Sequence, residues 1–258
     1  MKDLTIVKIG GQIIDNEKEL NKFLISFSKI KTAKLLVHGG GKLATELCSK
    51  LGIETKMVEG RRITNAETLK IATMVYAGLI NKLITAKLNS YKTYAIGLCG
   101  ADAFMVPSEK RKKGKIDYGF VGDVIAKKIN TDFLKLLLDK NISMIIAPIT
   151  STKSGQLLNT NADTIASTLA SSLGKYYKVK FIYCFEKEGV LNGNKVIKTL
   201  NKTTYAKLKA KKVITDGMIT KLDNAFAAIE KNVSQVTIGK ANELNKLLKQ
   251  HAGTTITK

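Results

Sequence analysis

Short apolar runs recur along the chain at residues 4–9, 33–37, 93–98, 143–147, 179–184 and 235–238. Runs of that length with little polar alternation predict strands buried on both faces. Between them lie longer stretches, 17–29, 42–51, 65–90, 132–139, 161–173, 217–232 and 242–250, whose apolar residues return with helical spacing. The alternation predicts an α/β fold, a three-layer αβα sandwich around a largely parallel central sheet. Residues 104–129 break the rhythm with short β-prone pieces and charged turns, KRKKGK and YGFVGDVIAKK. They predict an antiparallel hairpin inserted at the sheet edge. No repeat or Pro-rich linker marks a boundary, so the chain reads as two intimate lobes, 1–174 and 175–258, that meet near Gly174 and Lys175.

Composition narrows the classes. A chain of 258 residues that is 44% apolar can bury a full core. No stretch approaches the roughly 20 apolar residues that span a bilayer. The chain passes from Met1, Lys2 and Asp3 straight into its first apolar run, so no secretory or transit segment is expected. Cys48, Cys99 and Cys184 are odd in number and form no CxxC pair, which points to buried thiols in a reducing cytoplasm. Two histidines and no thiol cluster leave little to hold zinc or iron, and no metal ligand is assigned. The net charge of +22 invites a nucleic-acid reading, but only three of the 43 basic residues are Arg and the lysines are spread along the chain. The Arg-rich, aromatic-interleaved face of a base reader is missing. What remains is a solvated basic surface whose field attracts an acidic, phosphorylated substrate.

Two glycine turns change the picture. Gly10 and Gly11 follow the first apolar run, and Gly39, Gly40 and Gly41 follow the second. Each is either a plain tight turn or a cradle in which backbone N–H groups meet an anion ahead of a helix. Neither fits GxGxxG or GxxxxGKS/T, which disfavours a dinucleotide site and a Walker loop. Lys8 stands two residues before Gly10 in an otherwise apolar strand. Buried there, it needs an anionic partner; on an edge strand it would simply face water. GRRIT at 60–64 places two arginines beside a glycine, and Arg62 can fork a carboxylate or lie at the surface. NTNAD at 159–163 puts amides and a carboxylate at a helix start, where Asn161 or Asp163 could act as the cap. TDGMITK at 215–221 carries Lys221 onto a further helix.

These segments, KIGG at 8–11, HGGG at 38–41, GRRIT, YGFVGDV at 118–124, NTNAD and TDGMITK, closely resemble the amino acid kinase family in order and spacing, over essentially the whole chain. The glycine turns are shared by the whole family. GxRxT with NxNAD and TDGMxxK narrows the resemblance to the branch that acts on N-acetyl-L-glutamate. It implies the amino acid kinase fold and ATP-dependent phosphorylation of the side-chain (γ) carboxylate of N-acetyl-L-glutamate, the second step of arginine biosynthesis. N-succinyl-L-glutamate and free glutamate stay open as substrates, because none of these motifs touches the acyl tail. Arg61 could seat a succinyl carboxylate, but successive residues on an extended segment face opposite ways, so it is expected at the surface.

The resemblance also implies roles. Lys8 and Lys221 flank the transferring phosphoryl group, and Asp163 orients both lysines. Gly10 and Gly11 hold the phosphoryl group, Gly40 and Gly41 contact it and the acylated amino acid, and Arg62 and Asn159 take the α-carboxylate. Glu186, Lys187, Glu188, Gly189, Val190 and Leu191, with Val213, Ile214 and Thr215, line the ATP nucleoside site in the C-terminal lobe. The N-terminal lobe binds the acylglutamate and forms a homodimer. Mg²⁺ enters on ATP oxygens and water, since no carboxylate cage is visible. Glu186 departs from the Asp that the family commonly shows there. Arginine-inhibited relatives carry an extra N-terminal helix that joins dimers into hexamers. This chain begins at its first strand, so a dimer without arginine inhibition is expected.

Overall fold

A computed structural model describes residues 1–58, 61–214 and 216–258. In the strand Asp3–Ile9, side chains alternate between two apolar clusters: Leu4 and Ile6 enter one, Val7 and Ile9 the other, all fully buried. A strand buried on both faces needs neighbours on both edges, and this one pairs in parallel with Ala33–His38 and with Lys178–Phe185. Across the large sheet the order is Thr199–Leu200, Thr254–Ile256, Gln235–Lys240, Lys178–Phe185, Asp3–Ile9, Ala33–His38, Ser143–Ala147 and Ala95–Cys99. Every neighbouring pair is parallel except Gln235–Lys240 with Thr254–Ile256. The expected α/β sandwich is therefore present.

Helices cover both faces. Thr131–Asp139, Ala162–Leu173 and Asp216–Glu230 supply Leu134, Ile165, Leu169 and Leu222 to the Leu4–Ile6 side. Glu17–Ser28, Gly41–Lys50, the run 66–90 and Leu244–Leu248 cover the other. Lys8 has the parity of Leu4 and Ile6, so it faces the side covered by Ala162–Leu173. It lies on a central strand, which removes the edge-strand reading.

The run 66–90 is one continuous helix with a π-helical middle, Met74–Ile80, between Ala66–Thr73 and Asn81–Ser90. Its 25 residues are long and apolar enough to cross a membrane, which corrects the expectation that no stretch reaches that length. Its apolar stripe, including Ile71, Val75, Ile80, Ile84 and Leu88, is buried against the sheet. Scattered Glu67, Lys70, Lys82 and Lys87 hide this length from a search for uninterrupted apolar residues.

The hairpin exists but not at the edge of the large sheet. Ser108–Lys110 pairs antiparallel with Val121–Val124, and both join a separate four-stranded sheet with Leu157–Thr160 and Ile149–Ser151. Two glycines set this arrangement. A Cβ on Gly122 would overlap Thr160 Oγ1, and a Cβ on Gly119, at φ +69°, would overlap the carbonyl oxygen of Thr64. Phe120 N donates to Thr64 O (2.7 Å), Thr64 N to Tyr118 O (3.0 Å) and Asn159 N to Phe120 O (2.9 Å). The YGFVGDV segment thus fastens the GRRIT segment to the NTNAD strand. The helix Lys202–Ala210 was not expected: it buries only Tyr205 and starts from an Asn201 cap, so it carries no apolar period to read.

Gly119→Ala is expected to cost about 1–3 kcal/mol, from the left-handed backbone and the overlap with Thr64 together. Chemical denaturation measures it, and unchanged stability would show that Tyr118–Phe120 need not lie against Thr64.

Candidate active site

The two glycine turns leave adjacent parallel strands at the same height, because Ile9 pairs with His38. In an open parallel sheet this carboxyl-end crevice is where ligands bind. Gly39 N donates to Ile9 O (3.2 Å), which ties one turn to the other. A Cβ on Gly11 would lie 3.9 Å from both Gly40 N and Gly41 N, and a Cβ on Gly39 3.6 Å from Gly11 N. The backbone nitrogens of Gly11, Gly40 and Gly41 therefore converge, and Gly41 opens the helix Gly41–Lys50 with its unpaired first-turn donors. Gly40 has φ +145°, a backbone that residues with a side chain rarely take, and a Cβ there would overlap Ile80 Cδ1.

Beside these turns stands the charged centre. Asn161 caps Ala162–Leu173 by accepting from Thr164 N (3.0 Å), so Asp163 in the first turn is left for other work. Its Oδ1 lies 2.7 Å from Lys8 Nζ and its Oδ2 3.7 Å from Lys221 Nζ. The Lys8 and Asp163 side chains are each about a tenth exposed, that of Lys221 about a fifth. The Lys8–Asp163 contact is a close, buried ion pair. Burial alone would raise the Asp163 carboxyl; the Lys8 and Lys221 charges outweigh it and hold its pKa below the ordinary value.

A cleft of about 190 Å³ opens next to the turns, lined by Gly40, Gly41, Arg61, Arg62, Tyr76 and Asn159 among others. Arg62 is buried; its Nη2 donates to Gly41 O and to Thr45 Oγ1, both at 2.8 Å, while its buried Nη1 has no hydrogen-bond partner among the described residues. A buried guanidinium nitrogen without an acceptor is costly and suits an incoming carboxylate. Asn159 Nδ2 donates to Thr64 Oγ1 (3.0 Å), which in turn donates to Arg62 O (3.0 Å). Arg61 lines the same cleft, half-buried, instead of standing at the surface. The Arg61–Arg62 strand is only two residues long and lies along the cleft, so alternation does not carry Arg61 away from it.

The structure thus brings together Lys8, Asp163 and Lys221, and around the adjoining cleft Gly40, Gly41, Arg62 and Asn159, with Gly11 facing the Gly40–Gly41 amides. Gly10 N is spent on Cys184 O (3.3 Å). The remaining residues form no single surface. Glu186, Lys187 and Glu188 are exposed beyond the end of Lys178–Phe185. Gly189 and Val190 are buried: a Cβ on Gly189 would sit 2.8 Å from Thr254 Oγ1 and from Val196 Cγ1, and Val190 N donates to Thr254 Oγ1 (2.8 Å). Leu191 opens a two-stranded ribbon, Ile214 is in the core, Val213 is exposed, and Thr215 lies outside the described residues. Among the described residues no three His, Cys, Asp or Glu side chains gather as metal ligands. With Asp163 taken by two lysines, this donor set does not make a resident metal site. Tyr76, Thr45 and Asn81 went unread in the sequence because they sit within ordinary helical stretches. His38 was quoted only as part of a glycine turn.

The family model for the amino acid kinase family matches residues 3–240, and the chain belongs to that family. Among its relatives, the acetylglutamate kinase of Cytophaga hutchinsonii is 53% identical, covering 97% of this chain and 96% of its own length. The acetylglutamate kinase of Phocaeicola vulgatus is 48% identical, covering 99% and 98%. Of solved structures, the smu.665 protein of Streptococcus mutans UA159 superposes with TM-score 0.83 at 26% identity over 100% of this chain and 99% of that one. A Giardia lamblia carbamate kinase bound to AMP-PNP, 14% identical, shares the fold with TM-score 0.70, covering 100% and 98%.

Asp163→Asn leaves two buried or half-buried ammonium groups uncompensated and is expected to cost about 3 kcal/mol at pH 7. The native carboxyl has the lower pKa, so the wild-type advantage holds above the ordinary carboxylate pKa. It shrinks as pH falls through the depressed native value. Denaturation of both proteins at pH 7 and pH 3 checks this; an equal difference at both values would contradict the charge pairing.

Proposed function

We propose that this chain transfers the γ-phosphoryl group of ATP to the side-chain carboxylate of N-acetyl-L-glutamate, giving N-acetyl-L-glutamyl 5-phosphate and ADP in the second step of arginine biosynthesis. The observation that carries this reading is one buried carboxylate shared by two lysines beside converging glycine amides. Phosphoryl transfer asks for positioning and for preorganised positive groups around the moving phosphorus. A carboxylate is already a nucleophile at neutral pH, so no general base is needed. Its oxygen bonds to phosphorus as the bond to the ADP oxygen breaks, and the electron pair leaves on ADP. Lys8 and Lys221 balance the charge on the transferring oxygens, Asp163 keeps both ammonium groups in place, and the amides of Gly11, Gly40 and Gly41 donate to the same oxygens. Arg62 Nη1 and Asn159 receive the α-carboxylate. Mg²⁺ would travel with the ATP phosphates.

We place the nucleoside beyond the ends of Lys178–Phe185 and Gln235–Lys240, where Glu186, Lys187, Glu188 and Val213 are exposed. Gly189, Val190 and Ile214 shape that wall from behind. On this reading residues 175–258 form the nucleotide lobe and 1–174 the acylglutamate lobe. Two copies join through the second: the Ala95–Cys99 strand leaves one edge of the large sheet open, with Leu79, Leu83, Tyr94 and Ile96 exposed around it. Three unpaired cysteine thiols support a reducing cytoplasm.

The test is acyl phosphate trapped as hydroxamate, with ATP and a panel of N-acetyl-L-glutamate, N-succinyl-L-glutamate and free glutamate. The acetyl compound is expected to have the highest kcat/KM. Arg61 in the cleft makes the succinyl compound the decisive control, and a tenfold preference for it would overturn the assignment. Lys8→Ala and Lys221→Ala are each expected to lower kcat by about 10²–10³ with little change in KM; near wild-type kcat would remove the role. Arg62→Lys keeps the charge but loses the fork. Its expected effect is a raised KM for the acylglutamate alone, and an equal rise for ATP would move Arg62 out of the amino-acid pocket.

A further inference from the structure

His38 and Asn81 touch no substrate in the reading above, yet both are fully buried behind the Gly39–Gly41 turn. His38 Nδ1 lies 2.8 Å from Gly39 O, and Nε2 lies 3.2 Å from Asn81 Nδ2. The same Asn81 nitrogen reaches Ile145 O (2.8 Å) and Leu98 O (3.2 Å), carbonyls on two further strands of the large sheet. Reversing the amide would turn its oxygen onto those two carbonyls, so Nδ2 must be the group that faces them. Asn81 Oδ1 is buried with no hydrogen-bond partner among the described residues and lies against Gly97, where a Cβ would overlap it. An unsatisfied buried oxygen is a stability cost, and the orientation is kept in spite of it. Asn81 directly follows the π-helical Met74–Ile80, and that segment also sets Ile80 and Tyr76 against Gly40. Such π segments often occur where a helix must place side chains for function.

The chain of donors has one consistent assignment. Gly39 O can only accept, so in the neutral ring the proton sits on Nδ1 and is donated to it, and the bare Nε2 faces the Asn81 amide, whose two protons are shared among Nε2, Ile145 O and Leu98 O. Burial pushes the imidazole pKa down to about 4, which keeps the ring neutral. With that carbonyl held, the next peptide plane is set. Among the described residues no peptide is cis, and in a trans peptide the N–H points opposite to the C=O. Gly40 N–H therefore points away from the imidazole, on the side where Gly40 N approaches Gly11.

We propose that His38, held in its Nδ1–H form between Gly39 O and the Asn81 amide, is a positioning residue that aims the Gly40 N–H at the transferring phosphoryl group. The kinetic consequence rests on the phosphoryl-transfer reading; the tautomer and the amide direction do not. Long-range ¹H–¹⁵N spectra of the substrate-free protein test the tautomer first, since the chain has two histidines and His251→Asn assigns the exposed one. The expected result is a protonated Nδ1 and a bare Nε2 between pH 5 and 8. A proton on Nε2 would overturn the proposal without any variant being made. His38→Asn keeps a donor near the Nδ1 position, while His38→Gln keeps an acceptor near Nε2 and loses that donor. His38→Gln is expected to move the Gly40 amide resonance and to lower kcat by about 10–100-fold with KM for both substrates nearly unchanged. His38→Asn is expected to restore most of kcat and the amide position. Equal losses in both variants that follow their melting temperatures would reduce His38 to a packing role. A wild type with the Nδ1–H tautomer but no transferase activity would sink the phosphoryl-transfer reading and leave the amide direction standing.

Discussion

A carboxylate buried at the end of a parallel sheet must be paired, and Asp163 is paired twice. Bringing Lys8 and Lys221 to its two oxygens demands three things of the fold. Lys8 must leave the central strand on the face that Ala162–Leu173 covers, which the parity of Leu4 and Ile6 dictates. Asp163 must sit in the first turn of that helix without being used as its cap, and Asn161 takes the cap instead. Asp216–Glu230 must lie against Ala162–Leu173 so that Lys221 reaches the second oxygen. Removing any one partner leaves charge stranded in a dry site, a larger penalty than most single contacts can offset. The same arrangement gathers two positive charges beside the glycine turns, so on the proposed reading the pairing that stabilises the fold would also prepare the chemistry.

The second constraint is backbone proximity. Amide nitrogens from two turns can converge only where no Cβ intervenes, and Gly40 adopts a backbone, φ +145°, that residues with a side chain rarely take. Gly119 and Gly122 do similar work at a distance. They let the Tyr118–Val124 segment lie flat between Thr64 and Thr160, and through Thr64 this segment orders Arg62 and Asn159. The Arg62 and Asn159 side of the cleft is thus assembled from segments far apart in sequence, held in register by backbone hydrogen bonds.

Most of the large sheet was legible because its strands are buried on both faces and read as unbroken apolar runs. The elements that escaped, Thr199–Leu200, Thr254–Ile256 and Lys202–Ala210, are short or bury almost nothing, so they carry no period. The hairpin at 104–129 was legible as a hairpin but not in its place, since what it pairs with depends on Gly122 meeting Thr160, a contact between distant residues. At the site, Lys8 announced itself as a charge that burial would make costly, and Arg62 as one of two arginines beside a glycine able to fork a carboxylate. Arg61 misled, because alternation is a rule for strands longer than two residues. Val190 and Ile214 were assigned to the nucleotide site from motif position alone, which carries no information on burial, and both side chains lie in the core. Asn81 and Tyr76 were invisible, since their roles come from a π-helical register that leaves no compositional mark.

The central claim is that the two lysines on Asp163 act on the phosphoryl group in transit, more than on bound ATP or acylglutamate. Titration with ADP, N-acetyl-L-glutamate and aluminium fluoride, a mimic of the phosphoryl group midway between donor and acceptor, measures that difference directly. Wild-type protein should bind the three-part mimic at least about tenfold more tightly than Asp163→Asn does, while the two proteins bind ATP and N-acetyl-L-glutamate alone with affinities within about threefold. Equal affinity for the mimic, or a loss shared evenly with the ground-state ligands, would contradict the account.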